Sequence, residues 1–382
     1  MSPGQAPIGP TSAFDMSARM AFVRAALAEH RETCLFVTNL TNIRWLTGFT
    51  GSNGWLLVTA DGCTLITDGR YGEQAEQQTT ASTVVRVGLT RAEMIAQARA
   101  ALGSASAVGF ESAHISVAEH AALSQAIGGS WRPTIGIIEN GRRSKDAGEL
   151  ERLTHAALIA DLALGGTVAA LASEPTEVQF RDLLEAEMRR LGADGPSFPT
   201  IVAAGANAAL AHHAPDQTRI VPGMTVVVDF GALYDGYHSD MTRTFTIGQP
   251  TALQAEVYQV VLQAQQAGVA AVRAGERGQE LDQICRRSIT AAGWGEWFTH
   301  GTGHGVGLQI HESPWLTQNF DDTLRVSDVV TVEPGVYRRD FGGVRIEDMV
   351  VVTTTGCQSL TITPKDSPCL QFPPTNSKTE SP

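Results

Sequence analysis

The sequence predicts two domains of different class: a smaller α/β domain, then an α+β domain built on a curved antiparallel sheet flanked by helices. Three observations predict this. In the first third, strand-like and helix-like stretches alternate, as in α/β chains. In the remainder the strand-like runs come mostly as hairpins, which pair antiparallel. Between them lies "ENGRRSKDAG" (139–148), polar and rich in turn formers, where a boundary is expected. The expected division is 1–140, 141–363 and a tail, 364–382. At 382 residues the chain can bury two real cores.

The elements follow in order. Residues 14–30 carry an amphipathic helical pattern behind a capping Asp15. "CLFVT" (34–38) reads as a strand, and "GWLLVTADGCTLIT" (54–67) as a hairpin around Asp61-Gly62. "TVVRV" (83–87) and "AVGF" (107–110) are further strands, with helical stretches at 91–101 and 116–126. Past the boundary a helical pattern covers about 148–172. Thr176 and Gln179 then have capping-box spacing, with Gly192 as the stop. "TALQ" (251–254) repeats the box before a helix ending near Gly275, and another helix covers 278–292. Strands are expected near 199–204, 225–231, 237–246, 327–333, 343–353 and 357–362. The Pro/Ser/Thr-rich tail reads as disordered.

Bulk properties narrow the function. A net charge of -12 without a basic face argues against a nucleic-acid partner. No run of 18 apolar residues suggests a membrane partner, and the N-terminal stretch lacks the charged head and apolar run of a secretory signal. The cysteines, Cys34, Cys63, Cys285, Cys357 and Cys369, are scattered and odd in number. Free thiols in a reducing cytoplasm is the simplest reading.

The chemistry gathers in "VVVDFGALYDGYHSDMTRTF" (226–245). A turn near Tyr234-Asp235-Gly236 brings Asp229 and Asp240 within one residue of facing. Facing side chains in an antiparallel pair lie about 5 Å apart, and two carboxylates that close need a shared proton or a cation between them. "HGTGHGVGLQIHESP" (300–314) adds histidines in a Gly-rich setting. "VVTVEPGVY" (329–337) ends a strand on Glu333, and "GVRIEDMVVV" (343–352) puts Arg345 and Glu347 on one strand face. Acids occupy positions where apolar strands ordinarily carry Val, Ile or Thr. Four carboxylates and an imidazole suit Mn, Co, Zn or Fe. Two such ions, roughly 3.5–4 Å apart, lower the pKa of a shared water towards ~7 and steady the oxyanion of amide hydrolysis.

These motifs resemble the pita-bread metallopeptidases, which include aminopeptidase P, prolidase and methionine aminopeptidase. The resemblance implies a pita-bread catalytic domain with two divalent metal ions, manganese foremost, on Asp229, Asp240, His304, Glu333 and Glu347. It gives Asp240 and Glu347 bridging positions and Glu333 a part in proton transfer. It places His212 and His311 on the scissile carbonyl and the leaving proline nitrogen, and lets Arg345 orient ligands or meet a terminal carboxylate. His213, one residue away, competes with His212, and the match favours His212. His300 reads as shaping the Gly loop.

"TNIRWLTGFTGSNGWLLV" and "LITDGRYGEQA" look like the creatinase/prolidase N-terminal domain, which points to the proline-specific branch. In that branch this domain drives dimerisation and closes one side of the pocket, so a homodimer is implied. A loop carrying Trp45 and Phe49 offers flat apolar faces to a proline ring, and Trp45 reads equally well as a core residue. The implied activity is an Xaa-Pro aminopeptidase or dipeptidase acting on proline-containing peptides. Hydrolysis of another small amide or amidine, or a non-catalytic metal-binding module, stay as alternatives.

Overall fold

The structure is a computed structural model that describes residues 9–80, 83–103, 105 and 107–369. It divides into two compact units, Phe14–Arg142 on one side and Met1–Ala13 with Arg143–Pro382 on the other.

In the first unit, a six-stranded sheet runs in the order Val84–Gly88, Cys63–Asp68, Trp55–Thr59, Cys34–Val37, Ala107–Glu111, Ser130–Thr134. Trp55–Thr59 is antiparallel to both its neighbours and the other three pairs are parallel, which fits an α/β unit. Phe36, Trp55, Ile66, Val108 and Leu123 meet in its core. The loop expected to hold Trp45 is corrected to a helix, Leu40–Thr47, capped by Asn39 Oδ1 and stopped at Gly48 with φ 82°. Trp45 and Phe49 are core residues, 3% and 1% exposed, so neither presents a flat face to a ligand. The Arg19 guanidinium lies 5.0 Å from the Trp45 ring centroid.

In the second unit, each of two helix pairs backs one antiparallel sheet. Ala147–Thr167 and Glu177–Arg190 pack on the strands Ile201–Ala204, Thr225–Phe230 and Met241–Thr246. Ala252–Ala271 and Gly278–Ala291 pack on a five-stranded sheet whose middle strands are Gly303–Gly305, Val329–Val332 and Asp348–Val352. Three of these helices start at capping boxes: Asp146/Glu149, Thr176/Gln179 and Thr251/Gln254. The two sheets meet where Glu347 N–H donates to Thr242 O at 3.2 Å. The helix from Ala147 to Ser173 is long and apolar enough to cross a membrane by length and composition. Half of its apolar stretch is buried, and Ile159, Ala160 and Leu164 belong to the core.

Three expectations need correction. The run 343–353 is two strands: Gly342–Arg345 pairs with Gly335–Arg338, whereas Asp348–Val352 pairs with Val329–Val332. Glu347 lies in the break, not on one strand face with Arg345. The turn is a two-residue loop, Asp235-Gly236, both with positive φ, as a hairpin of this length prefers. The ladder beyond it sets Asp229 opposite Thr242, so Asp240 falls two residues from facing Asp229, not one. Residues 364–369, expected in a disordered tail, are held: Thr246 N–H donates to Pro368 O at 2.8 Å, and the Lys365 ammonium bonds Asp348. The rest of that tail, 370–382, lies outside the described residues.

Candidate metal centre

The strand period explains which side chains turn towards the site. In Thr225–Phe230, Val226, Val228 and Phe230 enter the helix-backed core, so Val227 and Asp229 take the other face. In Val329–Val332, Val330 and Val332 enter their core, and Glu333 continues the opposite series behind Thr331. The two-residue offset of Asp240 puts it on the same side as Asp229; an offset of one would have turned it away. The chain is pinched between them, because a Cβ on Gly231 would run into the Ser239 carbonyl.

Asp229, Asp240 and Glu347 each bring an oxygen within 4.8 Å of the others. His304, on Gly303–Gly305, adds its Nε2 at 3.6 Å from Asp240 Oδ2 and 3.5 Å from Glu333 Oε1. All five groups line one cavity of about 1000 Å³, together with His212, His311 and Arg345. His212 and His311 are exposed to it. The ring of His311 sits 4.4 Å from that of His304. His213 also borders the cavity, but its ring is tied to Glu177, Nε2 to Oε2 at 2.7 Å.

The electrostatics are those of a site that lacks positive charge. Burial, then neighbouring acids, push Asp240 and Glu347 well above the ordinary carboxylate range. Burial raises Glu333 to about 8. Arg345 is the compensating cation: Nη2 donates to Asp229 Oδ2 at 2.7 Å and Nη1 to the Tyr337 hydroxyl at 2.6 Å. Desolvation pushes His304 down to about 3, so its ring is neutral.

Two details test whether a metal fits. Asp229 Oδ1 and Glu347 Oε1 are buried with no hydrogen-bond partner, a costly arrangement unless a cation takes their lone pairs. His304 Nδ1 faces Gly305 O at 3.1 Å, an acceptor only, so Nδ1 carries the proton and Nε2 is a lone pair. That lone pair faces carboxylate oxygens at a distance too long for a hydrogen bond. Both details fit divalent cations on hard oxygen and imidazole donors.

Sequence reasoning missed several supports. Tyr337 is buried; Arg345 donates to its oxygen, so its hydroxyl proton goes to His300 Nε2 at 2.9 Å. His300 Nδ1–H in turn donates to Gly301 O at 2.7 Å, and burial lowers its pKa to about 4. His300 therefore does more than shape its loop: it anchors Arg345 through Tyr337. Thr242 Oγ1 donates to Glu347 Oε2 at 2.7 Å. The alternation of "EPGVYRR" was the available signal for Tyr337; nothing local marked His300 as its partner.

The fold and donor set define a metal-binding enzyme domain of the pita-bread α+β class. Residues 151–354 match the family model of metallopeptidase family M24, and residues 19–143 match the creatinase/prolidase N-terminal domain. The chain is 39% identical over 333 residues to the uncharacterized peptidase YqhT of Bacillus subtilis, covering 87% of this chain and 94% of that one. It is 40% identical over 230 residues to an Xaa-Pro dipeptidase of Pyrococcus furiosus, 60% of this chain and 66% of that one. The structure of an Xaa-Pro dipeptidase from Bacillus anthracis superposes with a TM-score of 0.90 at 36% identity, covering 93% of this chain and 100% of that one. The chain belongs to metallopeptidase family M24.

Proposed function

We propose that this protein is a dinuclear metallopeptidase that hydrolyses the bond between a residue and a following proline, as an Xaa-Pro aminopeptidase or dipeptidase. The observation that carries the reading is the pair of orphaned oxygens, Asp229 Oδ1 and Glu347 Oε1, beside the lone pair of His304 in a large cavity. The names of similar proteins, Xaa-Pro dipeptidases among them, supply the proline preference.

In this reading Asp229, Asp240, His304, Glu333 and Glu347 hold two divalent ions, manganese ahead of cobalt, zinc or iron. Such ions, when bound, supply Lewis acidity and lower the pKa of a water towards ~7. The remaining work falls to side chains. Glu333 accepts and returns the proton moved during hydrolysis. His212 and His311, both facing the cavity, hold the scissile carbonyl and protonate the proline nitrogen, which as a secondary amine needs a proton to leave. Arg345 fixes Asp229 and is itself fixed by Tyr337. The reading places catalysis in 141–363 behind an N-terminal domain, 1–140. It extends to a homodimer in the cytoplasm, in keeping with five free cysteines.

The test is a manganese-supplemented panel of Xaa-Pro dipeptides, Xaa-Pro-Yaa tripeptides and Xaa-Ala controls. Turnover confined to the proline substrates is expected. Equal turnover of Xaa-Ala defeats the specificity, and metal uptake without any cleavage defeats the peptidase reading.

A further inference from the structure

We propose that Glu177 is a positioning residue: by gripping the segment 204–216 through His213, it sets His212 against the cavity. The proposal rests on the role assigned to His212 above.

Glu177 opens the helix Glu177–Arg190, directly after its capping Thr176, and is fully buried. A buried carboxylate is costly unless its lone pairs are filled and positive potential is near. Both conditions are met here. Oε1 accepts from Ala204 N–H at 2.7 Å and Asn207 Nδ2 at 3.0 Å. Oε2 accepts from His213 Nε2 at 2.7 Å and Asp216 N–H at 3.0 Å. The first turn of the helix adds its own positive end.

The origin of the donors carries the argument. Three of the four, from Asn207, His213 and Asp216, belong to the loop bearing His212; the fourth, Ala204, ends the core strand from which that loop departs. Backbone bonds strengthen the grip: Glu177 N–H donates to Thr218 O at 3.0 Å and Val178 N–H to Asp216 O at 3.2 Å. From the opposite side, Arg345 Nη1 reaches Ala211 O at 3.4 Å. Gly342, at φ 106°, approaches so closely that a Cβ there would lie 2.7 Å from Gly205 O. The segment is thus clamped between a helix N-terminus and the hairpin that leads to Glu347. With His213 fixed on one side, the adjacent His212 is left facing the cavity. Glu177, His213 and Asp216 also have the makings of a cation site. However, every Glu177 lone pair is used and Asp216 Oδ1 accepts from Thr218 N–H at 2.7 Å, so the cluster works as a hydrogen-bond hub.

The experiment compares wild type, Glu177→Gln, His212→Ala and the double variant. Glutamine keeps one acceptor oxygen and turns an amide donor towards a donor. Outer partners of this kind are worth about 10–100-fold. Glu177→Gln is therefore expected to lower kcat on an Xaa-Pro substrate by ~10-fold or more, with KM and metal content little changed. In the His212→Ala background the same change is expected to cost less than about 2-fold, because the two act as one unit. An equal loss in both backgrounds overturns the proposal. Should Glu177→Gln fail to fold, His213→Gln, which keeps an N–H towards Glu177, is expected to retain more kcat than His213→Ala; equal values overturn it. Hydrogen exchange on the metal-free protein gives an independent readout. The amides of Ala204 and Asp216 lose protection in Glu177→Gln, while Val226–Val228 keep theirs; unchanged protection overturns the clamp. A wild type inert on every proline peptide sinks the peptidase reading alone, and the exchange data still decide the clamp.

Discussion

Glu347 and Asp348 are consecutive, both acidic and both buried, yet they live in opposite electrostatic worlds. Asp348 accepts from Arg243 Nη2 at 2.9 Å, Gln265 Nε2 at 3.0 Å and Thr361 Oγ1 at 3.2 Å, and bonds the Lys365 ammonium. Burial alone would raise its pKa, but Arg243 and Lys365 hold it below the ordinary value. Glu347 has Thr242 for one oxygen, nothing for the other, and acids around it. At Asp348 the fold supplies the cations from its own side chains. Where it leaves the carboxylate short, the missing charge has to come from outside.

The widest separation between the two clusters comes from deleting a member of each. Asp240→Ala removes an acid shared by the whole constellation. We expect Xaa-Pro turnover to fall by more than ~10³-fold, beyond the 10–100-fold typical of outer partners, with bound metal lost in step. Metal analysis and rate on one preparation check this; full metal content in an inactive variant would separate the acid from the ions. Asp348→Asn should do the reverse. It leaves Arg243 buried beside a neutral group, so a stability loss of about 3–5 kcal/mol is expected in urea. Metal stoichiometry should persist in the folded fraction.

The acids of the proposed centre were legible because strands announce their faces. An acid among Val, Ile and Thr stands out, and its parity says which side it takes; Asp229 and Glu333 are of this kind. What escaped depends on distant pairing. Counting from a turn gave Asp229 and Asp240 an offset of one, since the true loop, Asp235-Gly236, is shorter than the turn-forming stretch around it. The break at Ile346–Glu347 is invisible in an apolar run, because it is imposed by two different partner strands. Helix Leu40–Thr47 is too short for its period to show. The Glu177 hub and the Tyr337–His300 relay join segments 27 or more residues apart, and no local pattern encodes such a contact.

A third buried acid, in the other unit, grades the comparison. Glu111 accepts from the backbone N–H groups of Thr38 and Asn39 at 2.7 and 2.8 Å, and from Asn42 Nδ2 at 2.6 Å. These donors are neutral, and burial outweighs them, raising its pKa from 4.5 to about 7. The folded state therefore binds this proton more tightly than the unfolded state does. Its contribution to stability is complete below about pH 4.5 and declines as pH rises through 7, by up to about 3 kcal/mol. Urea midpoints between pH 4 and 8 should show this decline in wild type relative to Glu111→Gln, which removes the titration. Parallel curves would mean that neutral donors suffice for a buried carboxylate.

The smallest expected effect is the sharpest probe of the centre. In chelator, Glu347→Gln removes a titratable carboxyl, already pushed well above the ordinary range, from a cluster of four acids that share a single arginine. The amide oxygen can keep the Thr242 bond, and the amide nitrogen replaces an oxygen that had no partner to lose. Relief of repulsion and the new unsatisfied donor oppose each other, so metal-free stability should shift by less than about 1 kcal/mol. Added manganese should then stabilise the variant less than wild type, since saturating ligand normally contributes about 2.7 kcal/mol at a hundredfold over Kd. If Glu347→Gln in chelator cost as much as Asp348→Asn, the two neighbours would be alike in kind. Glu347 would then be a structural acid whose partner lies within the chain, and the charge deficit that calls for metal would vanish.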